Sequence, residues 1–465
     1  MLTKLGQRFT DVFTKVMPSS FVFALLLTVC SGLLSVIILN ASILEIINAW
    51  YEGFFDLLAF GMQIALIVIT GYSIAISPII GRLIDQLAQK VSTPKQVYLF
   101  VMVLGALLSL VSFGWVVITA VLARELALRV KGVHYPFLVA CVYLSWNSWV
   151  CGLSSSVPLL LNTQENFLIK TGILPEVIPT DLTLGSGLNM AMLAIFMIAL
   201  PLLILLLVPK PKTTIELSDQ LKKERTTTEL SIKEEAESYR LPFTALSDTL
   251  NNSQTLQVIV ASLGLIFIGQ YFYHNGLDLN FNIMIFIFII MGLWFHKTPL
   301  RYTIAMKRSS SNISGILFQY PFYAGIMGIM IHTGLGTYVA DILASIATSD
   351  SYPVFAYFTG GLMNFAIPSA GGEFAVVGPS VLNAVAEIGS GLPAEQVTSM
   401  VSRAAMSIAY GESLSNLMQP FFLLLVFPVM GQGIKLQARD VLGYLVIPFL
   451  VLMLLQLGLI YSFPI

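Results

Sequence analysis

Asn364-Phe-Ala-Ile-Pro-Ser-Ala-Gly-Gly-Glu-Phe374 puts polar groups and helix breakers inside a long apolar run between Val354 and Leu382. Pro368 lacks an amide hydrogen and stops a helix, and Gly371-Gly372 invites a tight turn. Asn364, Ser369 and Glu373 stand where hydrocarbon-facing side chains are expected. Lipid cannot satisfy bare amides and carbonyls, so broken backbone at membrane depth survives only when buried or lining a wet cavity. Such a break presents free amides and a positive dipole end on one side, and free carbonyls on the other. Amides and hydroxyls suit an organic carboxylate. Carbonyls with Ser, Thr and Asn oxygens suit a hard cation such as Na⁺.

Three further stretches carry the same chemistry. Ser112-Phe-Gly114-Trp115 interrupts the apolar segment 98–130. Trp146 to Pro158 holds Asn147, Ser148, Ser154, Ser155 and Ser156, and Tyr410 to Pro420 holds Glu412, Ser413, Ser415, Asn416 and Gln419. The expected substrate ligands are therefore Ser112, Gly114, Trp115, Asn147, Ser154, Ser155, Ser156, Asn364, Ser369, Gly371, Gly372, Glu373, Ser413, Asn416 and Gln419. A coupling ion, H⁺ or Na⁺, is expected at Glu412, Ser112, Asn364 and Ser415, with Na⁺ at the hairpin tips. A charge at the centre of a span costs on the order of 3 kcal/mol, which marks Glu412 for function. Any single serine here has a plainer role, bonding a neighbouring helix at about 0.6 kcal/mol. No Lys or Arg sits at a break or tip, which favours a small anion over a multiply charged one. Trp115, Trp146 and Trp149 cluster near the first tip and break, away from an interfacial belt, and could wall a short acyl chain or simply pack.

The elements that must position these groups follow from composition. The chain has 465 residues, 56% hydrophobic and 11% charged, against about 25% charged in soluble domains. Several charge-free segments run long enough to cross a bilayer. The fold class is an all-α polytopic membrane protein. A net charge of −1 points to no nucleic acid, and three scattered cysteines make no disulfide framework or metal site. The spacing predicts an amphipathic surface helix over residues 1–17, on Phe9, Val12, Phe13 and Val16. The first apolar run, 20–40, reads as a retained span rather than a signal peptide.

About nine full spans and two re-entrant hairpins organise the rest. Residues 1–208 form a first repeat, with a hairpin at 98–130 whose arms are each too short to cross, and a broken helix at 135–161. Residues 209–280 form a solvated, charged linker and a connector span. Residues 281–465 form a second repeat, with a hairpin at 353–388 and a broken helix at 398–429. With the amino terminus inside, the basic clusters face the cytoplasm, and the loops near 41–53, 274–280 and 334–352 carry no Lys or Arg. The carboxyl terminus then falls outside, and the two repeats are inverted. Ile69-Thr-Gly71 pairs with His332-Thr-Gly334, Val111-Ser-Phe113 with Met363-Asn-Phe365, and Ser156-Val-Pro158 with Met418-Gln-Pro420. Inverted repeats with discontinuous helices are the architecture of secondary transporters. All four histidines are expected at interfaces.

Phe54-Phe-Asp-Leu-Leu-Ala-Phe-Gly-Met-Gln63, His296-Lys-Thr-Pro299, Gln319-Tyr-Pro-Phe-Tyr-Ala-Gly325, Asn364-Phe-Ala-Ile-Pro-Ser369 and Ala409-Tyr-Gly-Glu412 with Gln419-Pro420 resemble the bacterial short-chain fatty acid transporters of the AtoE type. The resemblance runs from near residue 5 to near residue 460. It implies uptake of short monocarboxylates such as acetoacetate or butyrate, and membership of the ion transporter superfamily. It further implies a homodimer with a scaffold and a moving part that slides as an elevator. The chain departs from the family pattern at Ala370, at Glu373-Phe374 and at Ser112-Phe-Gly-Trp115.

These readings converge on a cation-coupled carrier of short monocarboxylates in a bacterial inner membrane, with small organic anion, H⁺ or Na⁺ and membrane lipid as partners and no cofactor. A C4-dicarboxylate or amino-acid carrier of the same superfamily, or an anion channel, is the alternative. An enzyme is disfavoured, since no nucleophile–base pair, metal spacing or phosphate loop is found.

Overall fold

A computed structural model of the chain describes residues 18–463 apart from 56–57, 154, 164–166, 171–173, 211–213, 224–230, 242, 244, 277–280 and 311–312, together with residues 9, 12 and 15. The expected helix over 1–17 therefore lies largely outside the described residues, as does Ser154. All regular secondary structure among the described residues is helical, with no strand. Among the described residues, six helices are long and apolar enough to cross a membrane, or up to nine when each bent pair counts as one span.

The first half runs α1 (Ser20–Leu39), α2 (Ile43–Gly53), α3 (Leu58–Ala75), α4 (Pro78–Lys90), α5 (Pro94–Val111), α6 (Val116–Arg129), α7 (Tyr135–Trp146), α8 (Ser156–Leu161) and α9 (Gly187–Leu207). After three short linker helices comes α10 (Gln254–Asn275). The second half runs α11 (Phe281–His296), α12 (Pro299–Ser309), α13 (Ser314–His332), α14 (Leu335–Ser345), α15 (Tyr352–Met363), α16 (Ala370–Ile388), α17 (Ala394–Ser415), α18 (Leu423–Met430) and α19 (Ala438–Ser462).

The order of parts repeats: long helix, 11-residue helix, bent pair, hairpin, broken helix, long helix. The bent pairs turn by 69° between α3 and α4 and by 60° between α13 and α14. Ser77 caps α4, whose Pro78 needs no amide partner at its first position. Gly334, at φ +77°, starts α14 in a conformation that favours glycine. The expected match of Thr70-Gly71 with Thr333-Gly334 is corrected here: Gly71 lies inside α3, and its bend comes at Ile76-Ser77.

Contacts between the halves are exchanged. The bent helix α13 packs on α1 and α2, while α3 packs on α11 and α12. Each hairpin's first arm packs on the broken helix of its own half, α5 on α7 and α15 on α17. Each return arm packs on the tail of the other half's broken helix, α6 on α18 and α16 on α8. This reciprocity is what two structurally equivalent halves around a pseudo-two-fold produce.

Several expectations need correction. The first hairpin begins at Pro94, because Thr93 and Gln96 form a capping box, so its first arm has 18 residues and is long enough to cross alone. The turn of the second hairpin is 364–369. Gly371-Gly372 forms the first turn of α16 instead of a tight turn. The second broken helix continues through Tyr410-Gly-Glu412 and ends at Ser415. The linker is not wholly solvated: Leu217 and Ala236 are buried, Ile215 O accepts from Tyr135 N at 2.9 Å, and Arg308 pairs with Glu235. His134 and His296 stand at helix ends and are buried. His134 Nε2 meets the Tyr444 hydroxyl at 3.2 Å, and burial pushes its pKa down to about 4.

Candidate substrate site at the helix breaks

The second hairpin reaches its broken helix through glycine. A Cβ on Gly360 would stand 2.2 Å from the Ile408 carbonyl oxygen, and one on Gly411 would stand 1.8 Å from that of Tyr357. Only bare backbone lets α15 and α17 approach this closely. The crossing sets Asn364, one turn beyond Gly360, against the end of α17. Asn364 Nδ2 lies 3.1 Å from the Glu412 carbonyl oxygen, 2.7 Å from Ser415 Oγ and 2.6 Å from Asn416 Oδ1, sharing its two hydrogens among them. Gln419 Nε2 donates to Asn416 Oδ1 at 2.9 Å. One carboxamide thus ties the hairpin turn to the break.

The two breaks are cross-linked as well. After Trp146 the first broken helix passes into a 3₁₀ turn at Asn147–Cys151, and after Ser415 the second passes into one at Asn416–Met418. Ser413 Oγ donates to the Asn147 carbonyl at 3.0 Å. Tyr143 in turn presents its hydroxyl to the carbonyls of Asn416 at 2.6 Å and Gln419 at 3.2 Å. The first break is held to its own hairpin by Ser148 Oγ, 2.7 Å from Ser109 Oγ, and by Leu153 N donating to the Leu110 carbonyl at 2.7 Å. Asn147 and Asn416 therefore occupy equivalent places, each the first residue beyond the helix.

The site also holds buried polar atoms with no hydrogen-bond partner. They include both side-chain polar atoms of Asn147, Ser155 Oγ, Asn364 Oδ1, Asn416 Nδ2 and Gln419 Oε1. Both carboxyl oxygens of Glu373 and of Glu412 are in the same condition. An unsatisfied buried polar group costs about 1–3 kcal/mol, so a cluster of them marks a place prepared for something else. Glu373 and Glu412 are 0% and 1% exposed, on helices packed together and within electrostatic reach of one another. Glu373 is closed off from solvent in the first turn of α16.

The hairpin turn adds backbone donors. Ser369 is extended at φ −146°, and its carbonyl accepts from Glu373 N at 2.6 Å. The amides of Ala370, Gly371 and Gly372 come before any intrahelical acceptor. A Cβ on Gly371 would meet nothing within 4 Å, whereas one on Gly372 would stand 3.2 Å from Ser369 Oγ, so the first turn of α16 is open on the Gly371 side.

Not every expected residue joins this cluster. Ser112 ends α5 and is buried, and Gly114 lies against α3, where an added Cβ would be 3.2 Å from Ile67. Trp115 Nε1 is buried without a partner beside them. Ser156 opens α8 and is half-buried. Trp146 stacks on Tyr143 with centroids 6.0 Å apart and meets Phe422 at 5.0 Å, which makes it a wall behind the breaks. Sequence reasoning missed Tyr143 and Asn189. Asn189 Oδ1 accepts from the Tyr410 hydroxyl at 2.9 Å, and its Nδ2 donates to the Cys151 carbonyl at 3.2 Å. A polar residue in a charge-free span was the available signal for each.

A family model described as short chain fatty acid transporter matches residues 1–463. The chain belongs to that family. It is 32% identical over 445 residues to an Escherichia coli protein named short-chain fatty acid transporter, covering 96% of both chains. A Haemophilus influenzae protein of the same name is 32% identical over 449 residues, again covering 96% of each. The family is one of transporters, not enzymes. Two solved transporters align weakly: Neisseria gonorrhoeae MtrF, an antimetabolite efflux pump (15% identity, TM-score 0.40, 98% of this chain and 97% of that one), and Alcanivorax borkumensis YdaH (13%, 0.40, 97% of each). At these scores neither bears on the reading of the site.

Proposed function

We propose that this short-chain fatty acid transporter takes up monocarboxylates such as acetoacetate or butyrate by cation-coupled secondary transport. Its membrane is the inner membrane of a bacterium, with the amino terminus cytoplasmic and the carboxyl terminus outside. The observation that carries the reading is the Asn364 carboxamide, which binds the hairpin turn to the second break among buried polar atoms that lack protein partners. The substrate carboxylate meets the amides of Ala370, Gly371 and Gly372 together with the Asn147 and Asn416 carboxamides. The absence of Lys and Arg from both breaks suits a single negative charge. Glu373 and Glu412 supply the negative charge that a coupling H⁺ or Na⁺ neutralises, in the company of Asn364 and Ser415.

Close approach through glycine and exchanged packing suit a rigid-body motion. The hairpins and broken helices move together as an elevator against a scaffold built from α1–α3 and α10–α13, and a homodimer steadies the scaffold. The test is acetoacetate uptake into proteoliposomes, with protein-free liposomes subtracted, under a Na⁺ gradient and then a pH gradient. Asn364→Ala abolishes uptake while the protein still elutes as a folded species in detergent. Uptake at the wild-type rate in that variant would refute the reading. Counterflow of labelled against unlabelled acetoacetate separates a carrier from a channel.

A further inference from the structure

A cleft of about 330 Å³ opens between the start of α1, the second turn of α13 and the tail of the second broken helix. That is the size of the smaller small-molecule sites. Ser20, Gln319, Leu424, Phe427, Pro428 and Gln437 are among its walls. The walls are mainly apolar, but Gln319 brings a carboxamide whose oxygen is buried without a partner. Two of its walls belong to α1 and α13 of the scaffold group, and a third is α18, the continuation of the break that holds Asn416 and Gln419. The cleft lies at the end of the molecule that carries Lys435 and Arg439, which positive-inside reasoning assigns to the cytoplasm.

Phe421 stands in the chain between Gln419 of the break and Leu424 of the cleft wall. Phe421 follows Pro420 directly and is wholly buried. It stacks on Tyr320 with centroids 4.6 Å apart and meets Tyr323 edge-on at 4.7 Å. Both tyrosines belong to α13, so Phe421 is a wedge from the broken helix seated in the scaffold. The Tyr323 hydroxyl donates to the Ser20 carbonyl at 3.1 Å, which fixes the socket to the start of α1.

From this arrangement we infer that the cleft is the cytoplasmic vestibule through which the monocarboxylate leaves, and that Phe421 is its gate. The inference rests on the transporter reading above. With Phe421 seated between Tyr320 and Tyr323, the substrate at Asn416 and Gln419 is sealed from the vestibule. Withdrawal of the ring joins the two spaces, and Gln319 offers the departing carboxylate an amide donor.

The experiment uses the full chain in vesicles of known sidedness. Cys30 is the exposed cysteine among the three, so Gln319→Cys is placed in a Cys30→Ser background. A membrane-impermeant maleimide applied from the cytoplasmic face lowers acetoacetate counterflow about tenfold, and the same reagent applied from the opposite face leaves it unchanged. In parallel, Phe421→Ala raises net acetoacetate efflux about threefold or more relative to exchange, since the seal no longer requires a bound solute to open it. Unchanged counterflow after complete cytoplasmic labelling overturns the vestibule, and a wild-type ratio of net efflux to exchange in Phe421→Ala overturns the gate. If Phe421→Ala does not fold, Phe421→Leu keeps the burial while removing the stack and is read the same way. Absence of acetoacetate counterflow in the unmodified protein removes the transporter reading itself, and this inference with it.

Discussion

Gly411→Ala tests the geometry on which the site depends. The new methyl group would sit 1.8 Å from the Tyr357 carbonyl oxygen, 2.8 Å from its carbon and 2.9 Å from Gly361 N. All three are backbone atoms, so no side chain can rotate away. Restoring ordinary contact means opening the α15–α17 crossing by about 1.5 Å. Asn364 lies one turn further on, and an opening of that size carries its contacts to Ser415 (2.7 Å), Asn416 (2.6 Å) and the Glu412 carbonyl (3.1 Å) beyond hydrogen-bond reach. Buried polar contacts in membrane helices are worth about 0.6 kcal/mol each and overpacking costs about 1–3 kcal/mol, so the combined loss is about 3–5 kcal/mol. The measurements are thermal unfolding in detergent and acetoacetate uptake in proteoliposomes. Uptake is abolished and the unfolding midpoint falls, whereas Gly269→Ala, where an added Cβ meets nothing within 4 Å, leaves both near wild type. A Gly411→Ala protein with wild-type midpoint and uptake would show that the crossing does not hold Asn364 in place.

Asn147→Ala removes a buried carboxamide whose polar atoms have no protein partner, so stability holds or rises slightly while uptake falls about tenfold or more; unfolding and uptake are measured side by side. Tyr143→Phe strips the carbonyls of Asn416 and Gln419 of a donor and lowers the stability of the detergent-solubilised protein by about 1–2 kcal/mol, read as an earlier unfolding midpoint. His134 is neutral when folded because burial pushes its pKa down to about 4, so the unfolded chain takes up a proton that the folded chain refuses. Wild-type stability therefore declines as pH falls from about 6.5 towards 4, and His134→Gln flattens that part of the profile of unfolding midpoint against pH.

Much of the helical frame was legible because lipid enforces it. Uninterrupted apolar runs such as Ser20–Leu39 and Gln254–Asn275 must be helices, and Pro368 and Pro420 fall at two of the breaks, whereas Pro321, Pro379, Pro428 and Pro448 lie inside helices. The position of each break was less legible. Gly411 reads as a helix breaker in sequence, yet it lies inside α17, because its missing side chain serves a helix crossing and not a turn. Gly371-Gly372 misleads in the same way: the turn is already complete at Ser369, and the glycines begin a helix. Which polar residues converge was legible for Asn364, Ser415 and Asn416, where the break itself concentrates them. It was not legible for Tyr143, whose partners lie more than 270 residues away. Ser112 and Gly114 have the right chemistry, but their tip is turned against α3, a packing choice that no local pattern encodes.

The exchanged packing of the bent helices has a bearing on biogenesis. When α3 leaves the ribosome, two of its partners, α11 and α12, are still unmade, and roughly 200 residues must follow before they appear. At about 5–20 residues per second that is a wait of roughly ten to forty seconds. Through that interval the side of α3 that carries Ser73, whose carbonyl later meets His296 Nε2 at 2.7 Å, must be sheltered by the insertion machinery, because those two neighbours do not yet exist. Neither half, expressed by itself, could finish folding, but two halves made as separate polypeptides in one cell could complete each other.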